Sequence, residues 1–93
     1  MAPELIDVSA LRSLLPSWTL DENSLVRTDV ARSFAEAIAW VVAVSDVAES
    51  VNHHPDIDIR FCRVTWRLTT FSAGGLTQRD VELAHAIDAI VNP

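Results

Sequence analysis

Apolar residues recur at helical spacing at both ends and in the middle of the chain, and alternate with polar ones in between. Val8, Leu11, Leu14 and Leu15 follow Asp7 and Ser9, either of which can cap a helix, and Pro16 cannot continue one, so a short first helix is expected. Trp18 and Leu20 alternate with polar neighbours, Asp21-Glu22-Asn23-Ser24 is rich in turn formers, and Leu25 to Thr28 follows, which predicts a hairpin with Trp18 structural. Ser33-Phe34-Ala35-Glu36 has capping-box spacing and opens a helix running to about Asn52. Its residues Phe34, Ile38, Val41, Ser45 and Ala48, with Ala37 and Val44 beside them, form a stripe expected to bury against a sheet.

Beyond Pro55 the period changes. Ile57, Ile59 and Phe61 alternate with Asp58 and Arg60, and Val64, Trp66 and Leu68 alternate with Thr65, Arg67 and Thr69, predicting two antiparallel strands joined at Cys62-Arg63. Phe71 falls on the polar parity of the second strand, as a strand-end plug or a pocket wall. Ser72-Ala73-Gly74-Gly75 supplies a turn. Thr77 then caps a last helix with Asp80 at the reciprocal position, and Val81, Ala84, Ile87, Ile90 and Val91 form its buried face, while His85 lies among polar positions and reads as solvated. The order helix, two strands, helix, two strands, helix predicts a single α+β domain over residues 1–93, a four-stranded antiparallel sheet with three helices on one face.

Charge and composition narrow the partners. A net charge of −6, with seven scattered basic residues, excludes nucleic acid and anionic membrane as electrostatic partners. No apolar run approaches the roughly 20 residues that span a bilayer, since Trp40 to Val44 is interrupted by Ser45-Asp46. Cys62 is the lone cysteine and reads as a filler. With no basic and apolar leader at the N-terminus, a cytoplasmic protein is expected. At 93 residues the core is modest, so self-association through an exposed strand edge is physically sensible.

The chemistry concentrates in Glu49-Ser-Val-Asn-His53-His54-Pro55. Pro55 disfavours helix at His54, which places both imidazoles at a helix C-terminus, where unpaired carbonyls favour imidazolium. Either ring can then give or take a proton near neutral pH. Glu49, four residues before His53, lies on the same helical face and is placed to orient that ring. The same residues also fit a bland arrangement, one histidine closing the helix end and the other solvated. Glu49 and His53 have metal-ligand spacing, but no third or fourth ligand is evident, so no metal site is expected.

Glu49-x-x-x-His53-His54-Pro55, the aromatic Phe61 downstream, and Gly74-Gly75-Leu76-Thr77-x-x-Asp80 together resemble the pterin-4a-carbinolamine dehydratase family across most of the chain. The resemblance implies the same α+β fold, association as a homodimer or homotetramer, and dehydration of 4a-hydroxytetrahydropterin to the quinonoid dihydropterin, the step that returns the cofactor of aromatic amino acid hydroxylases to its recycling route. No metal or organic cofactor is implied, since the pterin is the substrate. By resemblance, His54 is the principal acid/base residue, His53 binds substrate and assists proton transfer, Glu49 holds its neighbour, and Pro55 and Asp80 complete the pocket. The chain departs from the family pattern at Phe71, where a third histidine is expected, and at Asp29 and Ala31, where aromatic residues are usual. A phenyl ring stacks on a pterin but transfers no proton. Three functions remain open: a dehydratase that tolerates Phe71, a related catalyst acting on another small molecule in a biosynthetic pathway, and a protein-binding module like the family's transcription-factor dimerisation partner or Rubisco assembly factors.

Overall fold

The computed structural model describes residues 4–93. A 3-10 turn, Val8–Ala10, capped by the Asp7 side chain, runs into α1, Leu11–Leu14. The hairpin strands β1, Thr19–Asp21, and β2, Ser24–Val30, precede α2, Phe34–Val51; β3, Asp56–Arg60, and β4, Arg63–Leu68, precede α3, Gln78–Val91. The four strands form one antiparallel sheet in the order β1-β2-β4-β3, in the α-β-β-α-β-β-α sequence expected.

Strand register separates two faces. Leu25 opposes Leu68, Arg27 opposes Trp66 and Asp29 opposes Val64 on β2 and β4, and Ile57 and Ile59 of β3 continue that face. Leu25, Val64, Trp66 and Leu68 pack there with Ala37 and Val44 of α2 and Val81, Leu83, Ala84 and Ile87 of α3 in one core. The opposite face carries Thr28 and Thr65, whose hydroxyls lie 2.9 Å apart, with Asp58 and Arg67. The N-terminal segment closes the edge of the core near α3: Leu5 bridges Thr77, and the Ile6 N–H donates to the Leu76 carbonyl at 2.9 Å.

Three local expectations are corrected. α2 starts at Phe34, with the Ser33 hydroxyl accepting from the Glu36 N–H at 3.0 Å, as its capping spacing predicts. Its packed line, however, is Ala37, Val44 and Ala48 flanked by Trp40, Val41 and Val47, whereas Phe34 stays 50% exposed and Ile38 and Ser45 are also exposed. The expected stripe is therefore rotated towards solvent, because the small side chains of α2 are the ones that let its backbone approach the sheet. The second hairpin turns at Phe61-Cys62 and not Cys62-Arg63: Arg60 pairs with Arg63, and Phe61 takes φ 53° at the exposed tip. A non-glycine residue in that conformation costs about 1–2 kcal/mol, which the flanking ladder offsets. Phe71 lies beyond the end of β4 and opens a 3-10 turn, Phe71–Ala73, so strand parity does not govern its direction.

Asp29, where the resemblance leads to the expectation of an aromatic residue, belongs to a polar cluster. Arg27 Nε donates to both Asp29 oxygens at 2.9 Å and Arg27 Nη1 donates to Asp88 of α3 at 2.7 Å. The indole N–H of Trp66 donates to Asp29 at 3.0 Å and that of Trp18 to Asp88 at 2.7 Å. One guanidinium thus holds two carboxylates, and on each of them a tryptophan donates to an oxygen that the guanidinium also holds, so α3 is tied to β2 through charge as well as apolar contact. Arg27→Met is expected to lower stability by about 2 kcal/mol, read as a shift in urea midpoint at constant m-value. A shift equivalent to less than about 0.5 kcal/mol would show that solvent already screens the cluster.

Candidate active site

The two histidines leave α2 through Asn52, which takes the left-handed conformation at φ 52° and ψ 45°, one that asparagine tolerates better than most residues. The Asn52 N–H reaches the Ala48 and Glu49 carbonyls, and the His53 N–H donates to the Ala48 carbonyl at 3.1 Å, closing the helix end. From there the two rings part. His53 turns into the gap between α2 and α3 and is 9% exposed. His54 stays at the surface.

His53 Nε2 lies 2.6 Å from Asp80 Oδ1, and Asp80 is completely buried in the first turn of α3. The other Asp80 oxygen accepts from the Thr77 N–H at 2.9 Å, the reciprocal half of the predicted capping box, and from the Thr70 hydroxyl at 2.7 Å. Thr70 is delivered by the Thr70–Gly75 loop, whose ends pair through the Thr70 N–H to the Gly75 carbonyl at 3.1 Å. Gly74 supplies the positive φ of 76° that the loop needs. Among the described residues no buried side-chain nitrogen or oxygen lacks a partner. Two donors on Oδ2 leave Oδ1 to His53; an ionised Asp80 accepts there and His53 Nε2 donates.

His54 Nε2 lies 2.6 Å from Glu49 Oε2, an exposed pair. The expectation that Glu49 orients His53 is therefore corrected. Asn52 ends the helical phase, and counting four residues on from Glu49 no longer reaches the same face. The carboxylate captures the next ring instead. Pro55 is half-buried directly after it, and Phe71 is 84% exposed on its 3-10 turn.

A cleft of about 200 Å³ lies against His53, lined also by Val47, Val51, Leu83, Arg79 and Glu82. His54 is not part of its wall. Larger depressions of about 690 and 570 Å³ lie elsewhere, beside α1 and the first hairpin and beside Arg27 and Pro93, and neither contains a histidine. The cleft beside His53 is the smallest of the three and is the one with a histidine in its wall. Among the described residues no three His, Cys, Asp or Glu side chains converge as metal ligands, and Glu49 and His53, the pair with ligand spacing, diverge. No helix there is long and apolar enough to cross a membrane.

Thr70, Arg79 and Glu82 escape sequence reading. Thr70 carried one usable signal: a carboxylate buried by its own capping role needs donors, and a hydroxyl next to a glycine-rich turn is a short-range source of one.

The sequence pattern of the pterin 4 alpha carbinolamine dehydratases matches residues 4–90. A protein of Chloroflexus aurantiacus, provisionally named a pterin-4-alpha-carbinolamine dehydratase, is 53% identical over 76 residues, covering 82% of each chain. One of Roseiflexus sp. strain RS-1 with the same provisional name is 48% identical over 93 residues, covering 98% of this chain and all of the other. Among solved structures, a transcriptional coactivator/pterin dehydratase of Brucella melitensis superposes with TM-score 0.88 at 24% identity, over 95% of this chain and 99% of that one. A pterin dehydratase-like RuBisCO assembly factor of the alpha-carboxysome superposes with TM-score 0.69 at 22% identity, over 82% and 90%. These two likenesses concern the fold. The chain belongs to the pterin 4 alpha carbinolamine dehydratase family.

The two histidine pairs differ in burial and should differ in energetic weight. Asp80→Asn is expected to cost about 2 kcal/mol in urea unfolding, because a buried charge-assisted set is broken. Glu49→Gln, at an exposed pair, should stay within about 0.5 kcal/mol of wild type. Equal effects from the two substitutions would contradict this ranking.

Proposed function

We propose that the protein dehydrates 4a-hydroxytetrahydropterin to the quinonoid dihydropterin, with His53 and His54 as the proton-transfer groups. The supporting observation is the buried Asp80–His53 pair, with Nε2 to Oδ1 at 2.6 Å, beside a cleft of about 200 Å³ in a member of this family. The reaction breaks the C4a–O bond as the hydroxyl is protonated, removes the proton from N5 and forms the C4a=N5 bond. Water is lost and no electrons are exchanged, so placed acid/base groups suffice. Each imidazole has one nitrogen held by a carboxylate, His53 by Asp80 and His54 by Glu49, which leaves Nδ1 of each ring to meet substrate. In this reading His54 is the principal acid/base group, its exposure letting it exchange protons with water. His53 binds the substrate and assists. Glu49 and Asp80 orient the two rings, Pro55 fixes the chain between His54 and β3, and Phe71 offers a stacking surface without proton transfer.

Self-association into a homodimer or homotetramer is part of the same proposal. It is supported by the uncovered outer edges of β1 and β3 and by the exposed apolar residues Phe34, Ile38 and Val42 of α2.

A second reading, a protein-binding module without turnover, is favoured by one observation. Phe71, where the family pattern has a histidine, is 84% exposed and free to contact a partner. The RuBisCO assembly factor of the same fold is a protein with such a role.

Stopped-flow dehydration of freshly generated 4a-hydroxytetrahydropterin separates the readings. Wild type should accelerate the reaction well above background, His54→Ala should lower the rate on the order of 10²-fold, and Phe71→His should raise it. Folded wild type that gives no acceleration overturns the dehydratase reading in favour of the binding module, as does a rate indifferent to His54.

A further inference from the structure

We infer that Thr70 is a positioning residue for His53. Through Asp80 its hydroxyl sets the imidazole as the Nε2–H tautomer and leaves Nδ1 as the nitrogen that meets substrate. The catalytic half of this inference rests on the dehydratase reading; the tautomer half does not.

Thr70 Oγ1 donates to Asp80 Oδ2 at 2.7 Å and lies 2.8 Å from Thr77 Oγ1. A hydroxyl has one proton, so with Thr70 donating to the carboxylate, Thr77 must donate to Thr70. Thr77 Oγ1 in turn accepts from the Arg79 N–H at 3.3 Å, which is the helix start satisfying itself. The protons therefore point one way, from the first turn of α3 through two hydroxyls to Asp80. The Thr77 N–H adds a second donor on the same oxygen at 2.9 Å. That fills Oδ2 and leaves Oδ1 for His53.

Burial makes the direction matter. Thr77 and Asp80 are fully buried and Thr70 nearly so, at 3%. Water cannot replace a missing donor there, and a chain of hydrogen bonds in such surroundings polarises each member. Without the Thr70 proton, Oδ2 keeps only the Thr77 N–H, and the carboxylate loses one of the bonds that fix its plane. Its grip on His53 then loses direction. His53 Nδ1 has no hydrogen-bond partner among the described residues, so a fixed Nε2–H presents it as an open acceptor in the neutral ring.

The test is long-range proton–nitrogen NMR of the imidazoles in the full chain, with dehydration kinetics alongside. Wild-type His53 is expected as the Nε2–H tautomer with a slowly exchanging, low-field ring proton. Thr70→Val, close in shape, should lose that proton signal and mix the tautomers, and Thr70→Ser should restore both. In the kinetics, kcat/KM should fall by at least about tenfold in Thr70→Val and recover in Thr70→Ser. Should the valine variant not fold, Thr70→Cys keeps a weaker donor and should show an intermediate tautomer ratio. An Nδ1–H tautomer in wild type overturns the inference, as does a wild-type pattern in Thr70→Val or Thr70→Cys. Spectra that behave as expected in a protein without turnover would instead reject the dehydratase reading and leave the positioning role standing.

Discussion

A completely buried carboxylate, Asp80, is the constraint on which the rest of the structure depends. An ionised group without water must collect donors or be expelled from the core. Asp80 collects one from its own helix start, one from the loop after β4 and one from the segment after α2. Three segments distant in sequence therefore converge because one side chain cannot be left unpaired. The histidine is placed by the same requirement that caps α3, so the site is a consequence of how the fold satisfies a buried charge.

The other end of α3 is held in a comparable way. Asp88 accepts from Trp18 and Arg27, and Arg27 also holds Asp29 against the indole of Trp66. Asp80 and Asp88 lie eight residues apart, about 12 Å along the helix axis. Apolar packing of Val81, Ala84 and Ile87 against the sheet tolerates sliding; two directional carboxylates at separate points do not. Asp29 is thus a polar anchor that bears on how α3 is set against the sheet, and it is not part of the cleft wall.

Sequence periodicity carried the element order and sheet pattern, because β3, β4 and α3 each have a clear alternation or a capping pair at fixed spacing. It did not carry the rotation of α2. That helix is apolar or small around most of its circumference, so several stripes are equally regular, and the choice falls to the residues that let backbones approach, Ala37, Val44 and Ala48. The left-handed residues were also illegible. Asn52 and Phe61 have no glycine to announce them, yet one redirects both histidines and the other fixes a hairpin register. The family resemblance gathered His53 and Asp80 on the same side, but not which carboxylate each ring would meet.

That pairing follows from one residue of backbone. Had α2 continued one turn further, His53 would have stood one turn beyond Glu49, and the exposed carboxylate would have competed with Asp80 for it. Asn52 breaks the phase, and the rings divide between two environments: a buried pair in which Asp80 has no exposure, and a surface pair whose Glu49 side chain is 77% exposed. The buried pair is rigid and directional, since no water competes for its hydrogen bonds. The surface pair is screened by solvent and salt. A single left-handed asparagine between helix and proline suffices to separate the two environments.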